Sequence, residues 1–197
     1  MDLPLLNHST LPNLAALVLE HNSEKLTRCM LAFAKNKEGD RYKDRVYILA
    51  NERTLPLYKA LTGVADLRTI YDPEQHDYMR MGGSTFLFDD CFADRDWMRD
   101  GKLNMAISYP RTLELTSVFG FRALPLMPPR MYWNLDMVCI GSNLPEEERT
   151  RIYKAFFLYL VSYETFCDLL ETYTKENGFL VLRREGIDDR LYRASII

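Results

Sequence analysis

A chain of 197 residues, 47% of them hydrophobic, is long enough for one well-buried core or two small lobes, and too apolar for a disordered tail. A net charge of -3 and a pI near 5.7 give no whole-chain attraction to nucleic acid or acidic membrane, and no run of Lys and Arg marks a local patch. No apolar run approaches the roughly 18 residues that span a bilayer, and Met1-Asp2-Leu3-Pro4 lacks the basic start of a signal peptide, so the expected location is cytoplasmic as written, or extracytoplasmic if the chain is trimmed.

In chain order, Leu11-Pro12-Asn13-Leu14 through Leu19 reads as a short helix. Asn22-Ser23 caps the next one, which places Leu26, Cys29, Met30 and Phe33 on one face. Lys35 to Asp44 is polar, carries Gly39 and reads as a loop. Arg45 to Ala50 is a strand, and Thr54-Leu55-Pro56 opens a helix closed by Gly63. Residues 65–80 give no clear pattern. Gly82-Gly83 is a break before the strand 84–88, which Asp89-Asp90 ends. Phe92 to Met98 reads as two helical turns.

The spacing then predicts a strand at 103–108, a helix at 111–117 and strands at 121–126 and 135–140. Asn143-Leu144-Pro145-Glu146 starts a helix with a cap, a first-turn proline and acids at the positive end of the dipole, running to about residue 161. Ser162 to Gly178 is a second helix. Phe179 to Leu182 is a short apolar piece, and Gly186 to Ile197 a last helix or tail. The alternation argues for an α/β class, a central mixed sheet flanked by helices. No domain boundary stands out: residues 1–197 form one domain, or two small lobes with a crossing near 125–129.

Cys29, Cys91, Cys139 and Cys167 are scattered among apolar neighbours and read as buried free thiols. His8, His21 and His76 share no metal-ligand spacing. The cluster Asp72-Pro73-Glu74-Gln75-His76-Asp77 reads as a solvated loop, so neither a metal nor a cofactor is expected. Gly82-Gly83-Ser84-Thr85 opens a strand and so does not cradle a phosphate. With no nucleophile–base pattern visible, the expectation leans away from an enzyme, with no catalytic residues.

Four features in order resemble the extracellular solute-binding proteins of the type 2 periplasmic-binding-like class, over roughly 92–183. They are Gly101-Lys102-x-x-Met105, the crossing at Leu124-Pro125, the strand 135–140, and Phe156-Phe157-Leu158-Tyr159-Leu160-Val161-Ser162 before a helix. The resemblance implies lobes of that fold and recognition of a small polar solute, such as a carbohydrate. The chain would be a bacterial binding or ligand-sensor domain, closing by a hinge near Pro125–Pro129, without direct nucleic-acid contact.

The ligand site is expected at Tyr109, Arg111, Tyr132, Trp133, Asp89 and Asp90. Tyr132 and Trp133 offer aromatic faces to a sugar ring, or Trp133 fills the core. Arg111 offers a fork of donors to a carboxylate or to sugar hydroxyls, or is a surface arginine at a helix start. Asp89 and Asp90, ending a strand, suit a ligand, a metal or acid–base work, or cap the next helix. Two other classes stay open. One is a small hydrolase with a cleft built from Asp89, Asp90, Tyr109 and Arg111. The other is a protein-interaction domain presenting Met131, Tyr132 and Trp133.

Overall fold

The structure is a computed structural model that describes residues 3–5, 13–35, 45–50, 53–62, 68–69, 82–90, 101–185 and 188–195. Its strands are β1 (Ala15–Leu19), β2 (Val46–Ala50), β3 (Arg68–Thr69), β4 (Thr85–Asp89), β5 (Thr116–Phe121), β6 (Met137–Ile140), β7 (Gly178–Glu185) and β8 (Asp188–Ser195). The helices are α1 (Ser23–Ala34), α2 (Leu55–Thr62), α3 (Gly101–Ser108), α4 (Pro129–Trp133), α5 (Glu146–Ile152) and α6 (Tyr163–Tyr173), with α5 continuing through a π-helical turn at Tyr153–Phe157. All eight strands join one sheet in the order β3-β2-β4-β5-β1-β6-β7-β8. The first six in that order are parallel, and β7 and β8 form an antiparallel hairpin on β6.

The sheet follows from its apolar runs. Ala15-Ala16-Leu17-Val18-Leu19 is buried at every position, as a central parallel strand covered on both faces must be. Successive β1 side chains feed two separate cores: Ala15, Leu17 and Leu19 meet Ile107, Met131, Ile152 and Phe166, whereas Leu14, Ala16 and Val18 meet Leu26, Met30 and Tyr58. Helices α1 and α2 therefore cover one face and α3 to α6 the other. Asn22 caps α1 as expected, its side chain accepting the Lys25 N–H at 2.9 Å. Ser162 caps α6 through the Thr165 N–H at 3.1 Å.

The class read from the sequence stands: an α/β fold with a mixed, mostly parallel sheet between helices. Several elements differ. Ala15–Leu19 forms the central strand, because a five-residue apolar run is too short to bury as a helix yet spans the sheet. Gly101 to Ser108 is helix α3 and not a strand, with Ala106 and Ile107 buried. Residues 110–114 form turns before β5, which runs 116–121. Asn143 does not cap α5; it sits in the left-handed region at φ 60, and Pro145 takes the cap position without a side-chain bond. The ends 179–182 and 188–195 pair as β7 and β8. The expected helix at 92–98 and most of the loops 35–44 and 65–80 lie outside the described residues.

The proline crossing near 125–129 lies between β5 and β6. It carries the chain from β5 over β1 to β6, all within one sheet.

Candidate functional site

Parallel strands point their carboxyl ends to one edge, and a crevice opens there where neighbouring strands send their connections to opposite faces. From β1 the chain turns to α1 on one face. From β5 it passes through 122–128 to α4, and from β6 through Gly141-Ser142-Asn143 to α5, both on the other. The residues at those three strand ends are Glu20, Arg122 and Ser142. On the far side of β5, β4 adds Asp89 and Asp90.

Glu20 is fully buried at the end of β1. Its carboxylate accepts the Asn22 N–H at 2.9 Å through Oε1, and the Ser142 N–H at 3.0 Å through Oε2. Oε2 also faces the Lys25 ammonium at 3.1 Å. Lys25 is itself 7% exposed. It donates further to Ser142 Oγ and to the Thr174 carbonyl, both at 3.1 Å, and stands over the Phe179 ring. Two backbone N–H groups and an ammonium around one anion are the donor set of an oxyanion cradle. Gly141 makes the close approach possible, since a Cβ there would lie 1.9 Å from Glu20 Oε2. Beside Lys25 opens a polar cleft of about 550 Å³, lined by Asn22, Ser142, Arg149, Thr174 and Lys175 among others.

The same helix start joins this cradle to the acids. The Arg122 guanidinium donates to Ser23 Oγ at 3.0 Å and pairs with Asp90. Asp90 has a left-handed backbone, φ 50, and its N–H donates to the Gly120 carbonyl at 2.9 Å. Asp89 is completely buried. Burial pushes its carboxyl up to about 6, against the hydrogen bonds of Tyr58 and Thr54 and the nearby Arg122, which lower it.

Of the six residues expected at a site, only Asp89 and Asp90 lie at this edge. Arg111 pairs with Asp136 at 3.1 Å, and Asp136 accepts the Ala15 N–H at 2.9 Å, so both mark the opposite edge, where β1, β5 and β6 begin. Tyr109 is exposed beside a cavity of about 260 Å³ shared with Ser108, Arg130 and Asn134. The Tyr132 hydroxyl is turned back on its own connection, donating to the Pro125 carbonyl and accepting the Met127 N–H, and its ring packs edge-on against Phe156. Trp133 is 64% exposed, with the Arg184 guanidinium over its ring. It fills no core, and a cleft uniting Asp89, Asp90, Tyr109 and Arg111 does not form.

Glu20, Lys25, Arg122 and Ser142 were not singled out from the sequence. The available signal was the order apolar run, acid, cap, lysine over 15–25, which reads as strand, turn and helix once 15–19 is taken as a strand. Among the described residues no three His, Cys, Asp or Glu gather as for a metal ion. No helix among them is long and apolar enough to cross a membrane.

The arrangement defines a parallel α/β fold with an oxyanion cradle and an acid pair at its strand ends. Solved structures of similar fold include viral packaging enzymes. The chain is similar to B204, the DNA-packaging ATPase of Sulfolobus Turreted Icosahedral Virus, at TM-score 0.61 and 13% identity over 91% of this chain and 96% of that one. It is similar also to the genome packaging NTPase B204 of Sulfolobus turreted icosahedral virus 2, in complex with ATP-gammaS, at TM-score 0.58 and 12% identity over 98% of this chain and all of the other. The same enzyme in complex with sulfate matches at TM-score 0.58 and 14% identity over 91% and 95%. No protein-family model matches the chain. No curated protein sequence matches it either.

These likenesses overturn the solute-binding resemblance. They run along nearly the whole chain, and the motif that carried the resemblance, Gly101-Lys102-x-x-Met105, is a helix where that family has a strand. The expected sensor of a polar solute or sugar falls with it. The expected partner set of a sugar without nucleic acid is corrected with it, since the similar structures include DNA- and genome-packaging enzymes, one of them in complex with ATP-gammaS.

Proposed function

We propose that this chain binds a nucleoside triphosphate at the crevice above β1, β5 and β6, as a protein of the packaging-NTPase kind. The observation that carries this reading is the donor set at the start of α1. The Asn22 and Ser142 N–H groups and the Lys25 ammonium converge on one anion, and Ser23 links them through Arg122 to Asp90. In this reading Lys25 and the two amides face phosphate oxygens. Arg122 would neutralise charge on a bound phosphate, and Asp90 with Asp89 would hold a magnesium ion or orient water. Such an ion commonly keeps one or two carboxylates plus phosphate oxygens, which two strand-end acids fit. Bound there, it would neutralise phosphate charge.

Calorimetric titration with ATP-gammaS and magnesium tests the reading, alongside ATP turnover. Loss of a charged contact is worth roughly 1.5–3 kcal/mol, or about ten- to a hundredfold in affinity, and Lys25→Ala is expected to show it. Absence of binding at millimolar nucleotide by the folded wild-type chain and by folded Glu20→Gln alike would sink the proposal.

A second reading is favoured by one specific observation. The phosphate-loop signature G-x-x-x-x-G-K-[ST], counted from Lys25, asks for glycine at 19 and 24 and a hydroxyl at 26, whereas the chain has Leu19, Glu24 and Leu26. The chain would then be a non-hydrolysing subunit of a nucleotide-driven assembly. Binding without turnover selects it.

A further inference from the structure

The donors that suit a phosphate already hold an anion, and that anion belongs to the chain. We infer that Glu20 stands in for a phosphate group and keeps the site closed, so that it sets whether, and how tightly, a polyphosphate enters. The inference rests on the nucleotide reading above and adds to it the residue that limits binding.

Three features argue for it. Among the described residues, both carboxylate oxygens are spent on the Asn22 N–H, the Ser142 N–H and the Lys25 ammonium. The space is shaped to it, since at Gly141 even a methyl group would collide with Oε2. The position is dry, with Glu20 fully buried and Lys25 nearly so, while the next residues, His21 and Asn22, are exposed. A polyphosphate reaching the same amides would meet a like charge at close range in a low-dielectric setting, which is strongly unfavourable. It must displace Glu20 or bind weakly outside it. The polar cleft beside Lys25 is open and leads to this point. Removing the carboxylate leaves the two amides and the ammonium directed at an empty anion position.

Inorganic tripolyphosphate and ATP-gammaS, each with magnesium, are titrated into wild type, Glu20→Ala and Glu20→Gln, with amide NMR shifts followed at Asn22 and Ser142. Glu20→Gln keeps the shape and a hydrogen-bond acceptor, so it carries the test if the alanine variant folds poorly. Both variants are expected to bind at least tenfold more tightly than wild type, with the largest shifts at those two amides. The gain should vanish when Lys25→Ala is added. Equal affinity in wild type and folded variants would overturn the role of Glu20 while leaving the nucleotide reading standing. Tighter binding whose shifts lie away from Asn22 and Ser142 would overturn it too. No binding of either probe by any of the folded proteins would overturn the nucleotide reading, and this inference with it.

Discussion

Glu20 Oε2 and Lys25 Nζ lie 3.1 Å apart, both inside the protein, at the point where the central strand hands over to its helix. Breaking a buried pair by removing one partner commonly costs about 3–5 kcal/mol, because the remaining charge stays buried. Lys25→Ala is therefore expected to lower unfolding stability by that amount in a denaturant titration. The double variant Glu20→Gln, Lys25→Met should recover a large part of it. Additive losses in the double variant would show that the two groups are not coupled.

Asp89 ties stability to pH. Its folded-state carboxyl titrates near 6, above the 3.8 of an ordinary aspartate, so the folded protein holds this proton more tightly than the unfolded chain does. Its contribution is fully favourable below about pH 4, declines as pH rises from about 4 to 6, and is lost above that, a swing of roughly 3 kcal/mol. Asp89→Asn removes the charge. Across that window its melting temperature should fall less with rising pH than that of wild type, and above pH 7 the variant should be the more stable protein. Parallel melting curves for the two proteins from pH 4 to 7.5 would refute the assignment.

Two glycines should respond differently to alanine. At Gly141 the added methyl meets Glu20, whose carboxylate is fixed by three donors. At Gly120 it meets the Met30 sulfur at 2.2 Å, the flexible part of an adaptable side chain. Overpacking costs typically about 1–3 kcal/mol. Gly141→Ala is expected toward the upper end of that range and Gly120→Ala toward the lower. The reverse order in chemical denaturation would contradict the packing described for Glu20.

Trp133 is solvent-exposed, with the Arg184 guanidinium across its face. An exposed contact of this kind contributes about 0.5–1 kcal/mol. Trp133→Ala should keep its circular dichroism spectrum and lose no more than that amount. The wild-type tryptophan at this position should be readily quenched by iodide. Unfolding of the variant would return Trp133 to the core.

Local signals sufficed for much of the architecture. Strands β2, β4 and β6 and helices α1, α2 and α6 were legible because apolar period, cap and breaker agreed over each of them, as at Asn22-Ser23 and Ser162. Helix α3 was misread because Leu103 to Ile107 carries β-tolerant apolar residues without a cap to settle the period. β1 was misread because an apolar run buried on both faces has no period of its own. That error hid the site, since Glu20 becomes a strand-end acid only when 15–19 is a strand.

The sequence by itself determined the class of fold and the strand-ending acids Asp89 and Asp90. It also excluded the glycine-rich loop that would mark a phosphate site outright, since that signature is local. What only the tertiary structure decided is which of these groups meet. Glu20, Lys25 and Ser142 are brought together because β6, more than a hundred residues later, pairs alongside β1. Arg111 and Trp133 are sent to the far edge because parallel strands begin at one side of the sheet and end at the other. Strand order is set by how two cores fill on opposite faces of one sheet, a long-range packing choice that no single segment of the chain encodes.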